Sequence, residues 1–209
     1  MKNAPASFAE NRPLQILAGC YLILWILLAI HPVDRGDWFL ENLLVFAAMI
    51  LLISTYHRFQ FSNLTYTLIA LFLALHAIGA YYTYAKVPAG FWMQHLLHLN
   101  RNHFDRLIHF GFGLLLTYPL QELLRRVAGV RAPWLPWLAL AAIAAMSSFF
   151  EILEGVIAQI VRPDLGTAYL GTQGDIWDAQ KDIFLAFCGA IIATTLVSLI
   201  KKIFKVYEK

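Results

Sequence analysis

The chain has 209 residues, of which 60% are hydrophobic and only 14% charged. A soluble domain carries about 25% charged residues, so an ordinary soluble globular fold is excluded. The net charge of +3 is small and reflects loop topology and anionic lipid headgroups, giving no support to a nucleic-acid partner.

Six apolar runs approach the length needed to cross roughly 30 Å of hydrocarbon, at about 14–31, 40–56, 65–85, 104–124, 134–154 and 182–204. The first, LQILAGCYLILWILLAI, is followed by His31-Pro32-Val33-Asp34 with no small-x-small cleavage site, and reads as a retained helix. Cys20 and Cys188 both lie within apolar runs, and no zinc-type spacing or disulfide framework exists. No linker or repeat divides the sequence, so residues 1–209 form one transmembrane domain. The predicted fold is an all-α polytopic bundle of six transmembrane helices.

Between the third and fourth spans, PAGFWMQHLLHLNRNH mixes Phe91, Trp92, Leu96, Leu97 and Leu99 with Gln94, His95, His98 and Arg101, the pattern of a short interfacial helix. His95 and His98 there read as wet interfacial residues. Trp38, Trp92, Trp134, Trp137 and Trp177 fall near span ends, the aromatic-belt position. With six spans, both termini share one side. That side collects ten basic residues (Lys2, Arg12, Arg58, Arg125, Arg126, Arg131, Lys201, Lys202, Lys205 and Lys209) against six on the other (Arg35, Lys86, Arg101, Arg106, Arg162 and Lys181). The positive-inside rule therefore predicts cytoplasmic termini in a bacterial inner membrane.

Ionisable groups concentrate at the opposite, outward end of the spans, although each costs about 2.5–3.5 kcal/mol at bilayer depth. His76 lies within the third span, in LFLALHAIGAYY. In NHFDRLIHFGFG, Asp105 and His109 are one helical turn apart and share a face. They are candidates for an acid–base pair, for a metal ligand with its orienting partner, or for structural glue in which the carboxylate fixes the imidazole tautomer. Glu151 and Glu154, in MSSFFEILEG, fall on one stripe of the fifth span, where two carboxylates must repel, share a proton or hold a cation. Asp175, Asp178 and Asp182, in GTQGDIWDAQKD, stand at i, i+3 and i+7, one face if helical. That face continues as Ala186, Gly189 and Ala193, a stripe suited to close helix packing. Capping of a helix start accounts for one such aspartate, less easily for three.

Asp105, His109 and Glu151 are thus the candidate catalytic residues. Glu151, Glu154, Asp175, Asp178, Asp182 and His76 are the candidate ligands of a divalent metal ion. No HExxH, GxSxG, Walker A or CxxC motif is present, so no named enzyme class is supported. The leading expectation is an outward-facing Asp/Glu/His pocket that binds or acts on an envelope or lipid-linked group, with the lipid bilayer as surroundings. A cation- or proton-coupled transporter and a structural membrane scaffold are the alternatives.

The length, the six spans and the segments NHFDRLIHFGFG, SSFFEILEG and GDIWDAQKD resemble the bacterial YjdF-type inner-membrane proteins over essentially the whole chain. That family has no assigned function, so the resemblance implies location and topology and supplies no catalytic residues. The C-terminal half is also similar, more weakly, to VanZ-like membrane proteins. The matching positions are Asp105, His109 and Phe110, then Glu151, then Asp175 and Asp178 ahead of Gly189. The usual Arg between the Glu and Asp segments of that family has its only counterpart here in Arg162. This likeness implies an association with the cell envelope and no particular activity.

Overall fold

The computed structural model describes residues 7–204. Lys2, Lys205 and Lys209, which enter the loop-charge count, lie outside the described residues. A short 3-10 turn at Phe8–Glu10 leads into eight helices: α1 Arg12–Ala29, α2 Arg35–Thr55, α3 Asn63–Tyr81, α4 Pro88–Leu96, α5 Phe104–Arg126, α6 Trp134–Ile160, α7 Pro163–Leu170 and α8 Asp178–Ile203. The described residues contain no strand. Six helices (α1, α2, α3, α5, α6 and α8) are long and apolar enough to cross a membrane.

Local chemistry sets where several of them begin. The Asn11 side chain accepts from Leu14 N at 3.2 Å, and Pro13 occupies the first turn of α1, where its missing N–H costs nothing. Asp34 Oδ1 accepts from Gly36 N at 2.8 Å and Asp37 N at 3.0 Å, which starts α2 five residues ahead of the apolar run. Ser62 Oγ caps α3 through Thr65 N.

Helix α5 is the hub of the bundle and packs against α8, α3 and α6. It runs parallel to α8: Arg101 meets Asp178 just ahead of α5, and Gln121 reaches Thr194 four to five turns on. Their backbones touch along a seam of small residues. A Cβ on Gly113 would lie 1.8 Å from the Ala186 carbonyl oxygen, and one on Gly189 would lie 2.2 Å from that of Phe110. Ala186 and Ala190 are fully buried in this seam beside Ile143 of α6. Without a hydrophobic drive between helices in lipid, such close approach supplies the packing energy. By contrast, α1 has no buried residue and lies at the periphery against α3. The short helices α4 and α7 close one end of the bundle, where α5 and α8 begin and α3 and α6 finish. Trp92 and Leu96 of α4 are among the most exposed apolar side chains of the molecule.

Candidate functional site

At the end closed by α4 and α7, Asp105 and His109 of α5 meet Asp182 of α8, with one ligand atom of each lying within 4.8 Å of the others. The parallel run of α5 and α8 makes this possible, because residues near the start of each helix arrive at the same depth. His109 Nε2 is 3.6 Å from Asp105 Oδ1 and 3.3 Å from Glu151 Oε1 of α6. Three helices therefore contribute to one group, and Phe150 covers its imidazole edge-on.

The group is short of hydrogen-bond donors. Asp182 Oδ1 and Glu151 Oε1 are buried with no hydrogen-bond partner, the 3.3 Å approach of His109 lacking the geometry for one. Ser147 Oγ, one turn from Glu151 on α6, is likewise buried and unpartnered. Leaving such an oxygen unsatisfied costs about 1–3 kcal/mol, and more when it is charged. Protons or a cation must supply what the protein does not.

Asp175 and Asp178 have a different environment. Asp178 Oδ1 accepts from Arg101 Nη1 at 2.5 Å and Arg106 Nη2 at 3.1 Å. Asp175 accepts from Arg106 and from Lys181 Nζ, and its Oδ1 caps Trp177 N. The Lys181 ammonium, then the Trp177 N–H and Arg106, hold the Asp175 carboxyl well below the usual carboxylate range. The predicted three-aspartate face is interrupted, because α8 begins at Asp178 and Asp175 lies in the preceding turn. Arg101 also donates to the carbonyls of Thr172 and Gly171, and Gln173 exchanges two hydrogen bonds with the Asn102 backbone. Asn102 in turn caps α5 at Phe104 N and anchors Val87 O. These contacts fasten the start of α5 to the start of α8.

His76 is held apart from the Asp105–His109–Asp182 group. Its Nε2 lies 3.1 Å from the Glu41 carbonyl and its Nδ1 2.5 Å from the Tyr84 hydroxyl, so both ring nitrogens have protein partners. Nε2–H donates to the carbonyl and the Tyr84 O–H donates to Nδ1. Glu154 is buried one turn beyond Glu151. Burial raises the Tyr84 phenol, and the negative fields of Glu41, Asp105, Glu154 and Asp37 raise it further. The Tyr169 phenol of α7 is raised by burial, then by Glu41, Glu154, Asp37 and Glu151.

These two tyrosines bring out residues not singled out from sequence. Asp37 and Glu41 of α2 are 1% and 5% exposed, and both carboxylate oxygens of Asp37 lack a partner. They form an i,i+4 pair in RGDWFLENLLVF, with Asp37 ahead of the apolar run predicted from residue 40 and Glu41 just inside it.

The fold and site together define a polytopic helical membrane protein whose spans converge on a buried carboxylate–histidine group. The chain belongs to the family described as "Predicted membrane protein (DUF2238)", which matches residues 13–203. It is 36% identical over 167 residues to "Inner membrane protein YjdF" of Escherichia coli (strain K12), an alignment covering 79% of this chain and 78% of that protein. The resemblance drawn from the three polar segments is thereby confirmed. No solved structure matches the chain.

Proposed function

We propose that this chain holds a divalent cation with Asp105, His109 and Asp182 in the outward half of an inner-membrane bundle, and uses it to bind or act on an envelope or lipid-linked polar group. The observation that carries this reading is the convergence of one imidazole and two carboxylates within 4.8 Å, beside buried carboxylate oxygens that no protein donor satisfies. A mixed N/O donor set of this kind suits Mn, Fe or Zn, and three protein ligands leave positions for a substrate oxygen. The cation would polarise that oxygen. Glu151 stands 3.3 Å from His109 and is placed to take or return a proton. Glu154, one turn beyond Glu151, and Asp37 and Glu41 of α2 are further buried carboxylates, and Asp175 and Asp178 are held by Arg101 and Arg106.

The excess of Lys and Arg on the side of the termini supports cytoplasmic termini, which puts the site on the periplasmic side. The name of the E. coli relative supports the inner membrane. A carrier would need the polar path to continue through the bundle. Below the site Gly113 and Gly189 bring α5 and α8 into backbone contact, which argues against such a path.

The test is metal analysis of detergent-purified protein, wild type against Asp182→Asn and Glu151→Ala. A stoichiometric divalent ion in the wild type, lost in Asp182→Asn with unchanged gel-filtration behaviour, is the expected result. A wild type that retains no metal and gains no thermal stability from Mn²⁺ or Zn²⁺ would sink the proposal. Variants that unfold without any metal in the wild type would favour a structural scaffold.

A further inference from the structure

Where α5 and α8 begin, a cleft opens that is lined by His98, Arg101, His103, Arg106, Asp175 and Lys181. Three cationic side chains, Arg101, Arg106 and Lys181, line this cleft beside one carboxylate, Asp175, and Asp178 pairs with both arginines. The cations are not loose surface residues. The Arg101 side chain is 8% exposed and that of Arg106 is 13% exposed, and both are fixed by the contacts described above. Arg106 Nη1 donates to His103 Nδ1 at 3.2 Å, so the remaining ring proton of His103 sits on Nε2 as a donor. Arg106 Nε is buried and has no hydrogen-bond partner. Lys181 is half-exposed with Nζ protons to spare beyond its bond to Asp175. A cleft lined by several cationic donors fits an anion with several oxygens, and guanidinium groups match phosphate in particular.

The borders of the cleft point to how that anion arrives. Leu96 and Leu97, at the end of α4, are 80% and 60% exposed, while Ile176 and Trp177, ahead of α8, are 85% and 59% exposed. Apolar side chains exposed on either side of a basic cleft suit the boundary between headgroups and acyl chains. Asp178, which Arg101 and Arg106 both hold, is one helical turn from Asp182, or roughly 6 Å along the axis.

We propose that this cleft binds a phosphate monoester, the headgroup of a membrane-anchored phosphate or its free counterpart, and sets it against the cation ligands below. The role of the bound phosphate rests on the cation reading, whereas its binding depends on different side chains.

The experiment uses the full chain in detergent micelles, with phosphatidic acid, phosphatidylglycerol and inorganic phosphate as probes and affinity read by thermophoresis. Phosphatidic acid, a monoester, is expected to bind about tenfold or more tighter than phosphatidylglycerol, a diester. Lys181→Gln should weaken phosphatidic acid by about tenfold, and Asp175→Asn, which frees Lys181 and Arg106, should strengthen it. A purely structural role for Asp175 predicts the opposite sign. Inorganic phosphate that binds as tightly as the lipid, with the same response to both variants, supports the site and names the soluble source. Equal affinity for the two lipids is generic surface attraction and overturns the proposal, as does an affinity that neither variant moves. Metal content is measured on the same samples. A metal-free wild type that shows the phosphate pattern removes the cation reading alone, and a metal-bound one without the pattern removes the phosphate site alone.

Discussion

Two buried carboxylate centres sit at opposite ends of the bundle, and they are built in opposite ways. Glu122, near the end of α5, accepts from Ser62 N at 2.9 Å, Ser62 Oγ at 2.8 Å and Thr65 Oγ1 at 2.5 Å, and pairs with Arg126. Its charge is answered by protein donors, and the result is a staple between α3 and α5. Glu151 and Asp182, at the other end, are crowded by further acids and retain oxygens with no partner. A carboxylate kept for stability is surrounded by donors. The carboxylates at this other end are left short of donors, although each carries a cost at membrane depth.

That contrast can be broken by mutation. The largest expected effect is at Glu122→Ala, which strands Arg126 and the hydroxyls of Ser62 and Thr65. A loss on the order of 2–3 kcal/mol, mainly from the stranded Ser62 and Thr65 donors, should appear as a lower melting temperature in detergent, with metal content per folded molecule unchanged. Asp182→Asn should behave conversely. Removing one acid from a like-charged group changes stability by about 1 kcal/mol or less, or raises it, while metal retention falls. Equal destabilisation by the two substitutions would erase the distinction between the centres.

The smallest effect concerns pH at the entrance. Because its partners depress Asp175 in the folded protein, the stability it contributes is complete above the unfolded carboxyl value of about 3.9 and is lost only as pH falls through the lower folded value. Hydrogen exchange in the turn at 171–177 should therefore stay flat from pH 7 to about 4, after correction for the intrinsic rate, and open only below that. Opening near neutral pH would show that Lys181 and Arg106 do not hold this carboxylate.

The six spans were legible because a bilayer imposes a one-dimensional rule, a run of apolar residues, that needs no knowledge of partners. Their polar ends were less so. The apolar pattern ends span five at 154 and starts span six at 182, whereas α6 continues to Ile160 and α8 begins at Asp178. In both cases, as for Asp37 and Glu41 of α2, acids interrupt the apolar run while the helix carries on. Helical phase put Asp105 with His109, and Glu151 with Glu154. It could not reveal that Arg101 reaches Asp178 across 77 residues, nor that Tyr84 takes one nitrogen of His76. Those pairings depend on which helices become neighbours, and on the Gly113–Gly189 seam that makes α5 and α8 run together.

The parallel course of α5 and α8 has an electrostatic consequence. Antiparallel neighbours set the positive end of one helix dipole beside the negative end of the other, and the two largely cancel. Here both N-termini emerge at the same place, each equivalent to roughly half a positive charge. Asp105 and Asp178 lie in the first turns of these helices, and Asp182 follows one turn later. The C-termini of α3 and α6 at the same end offset part of this charge, so the positive potential is local to the first turns of α5 and α8, where it favours the charged forms of Asp105 and Asp178.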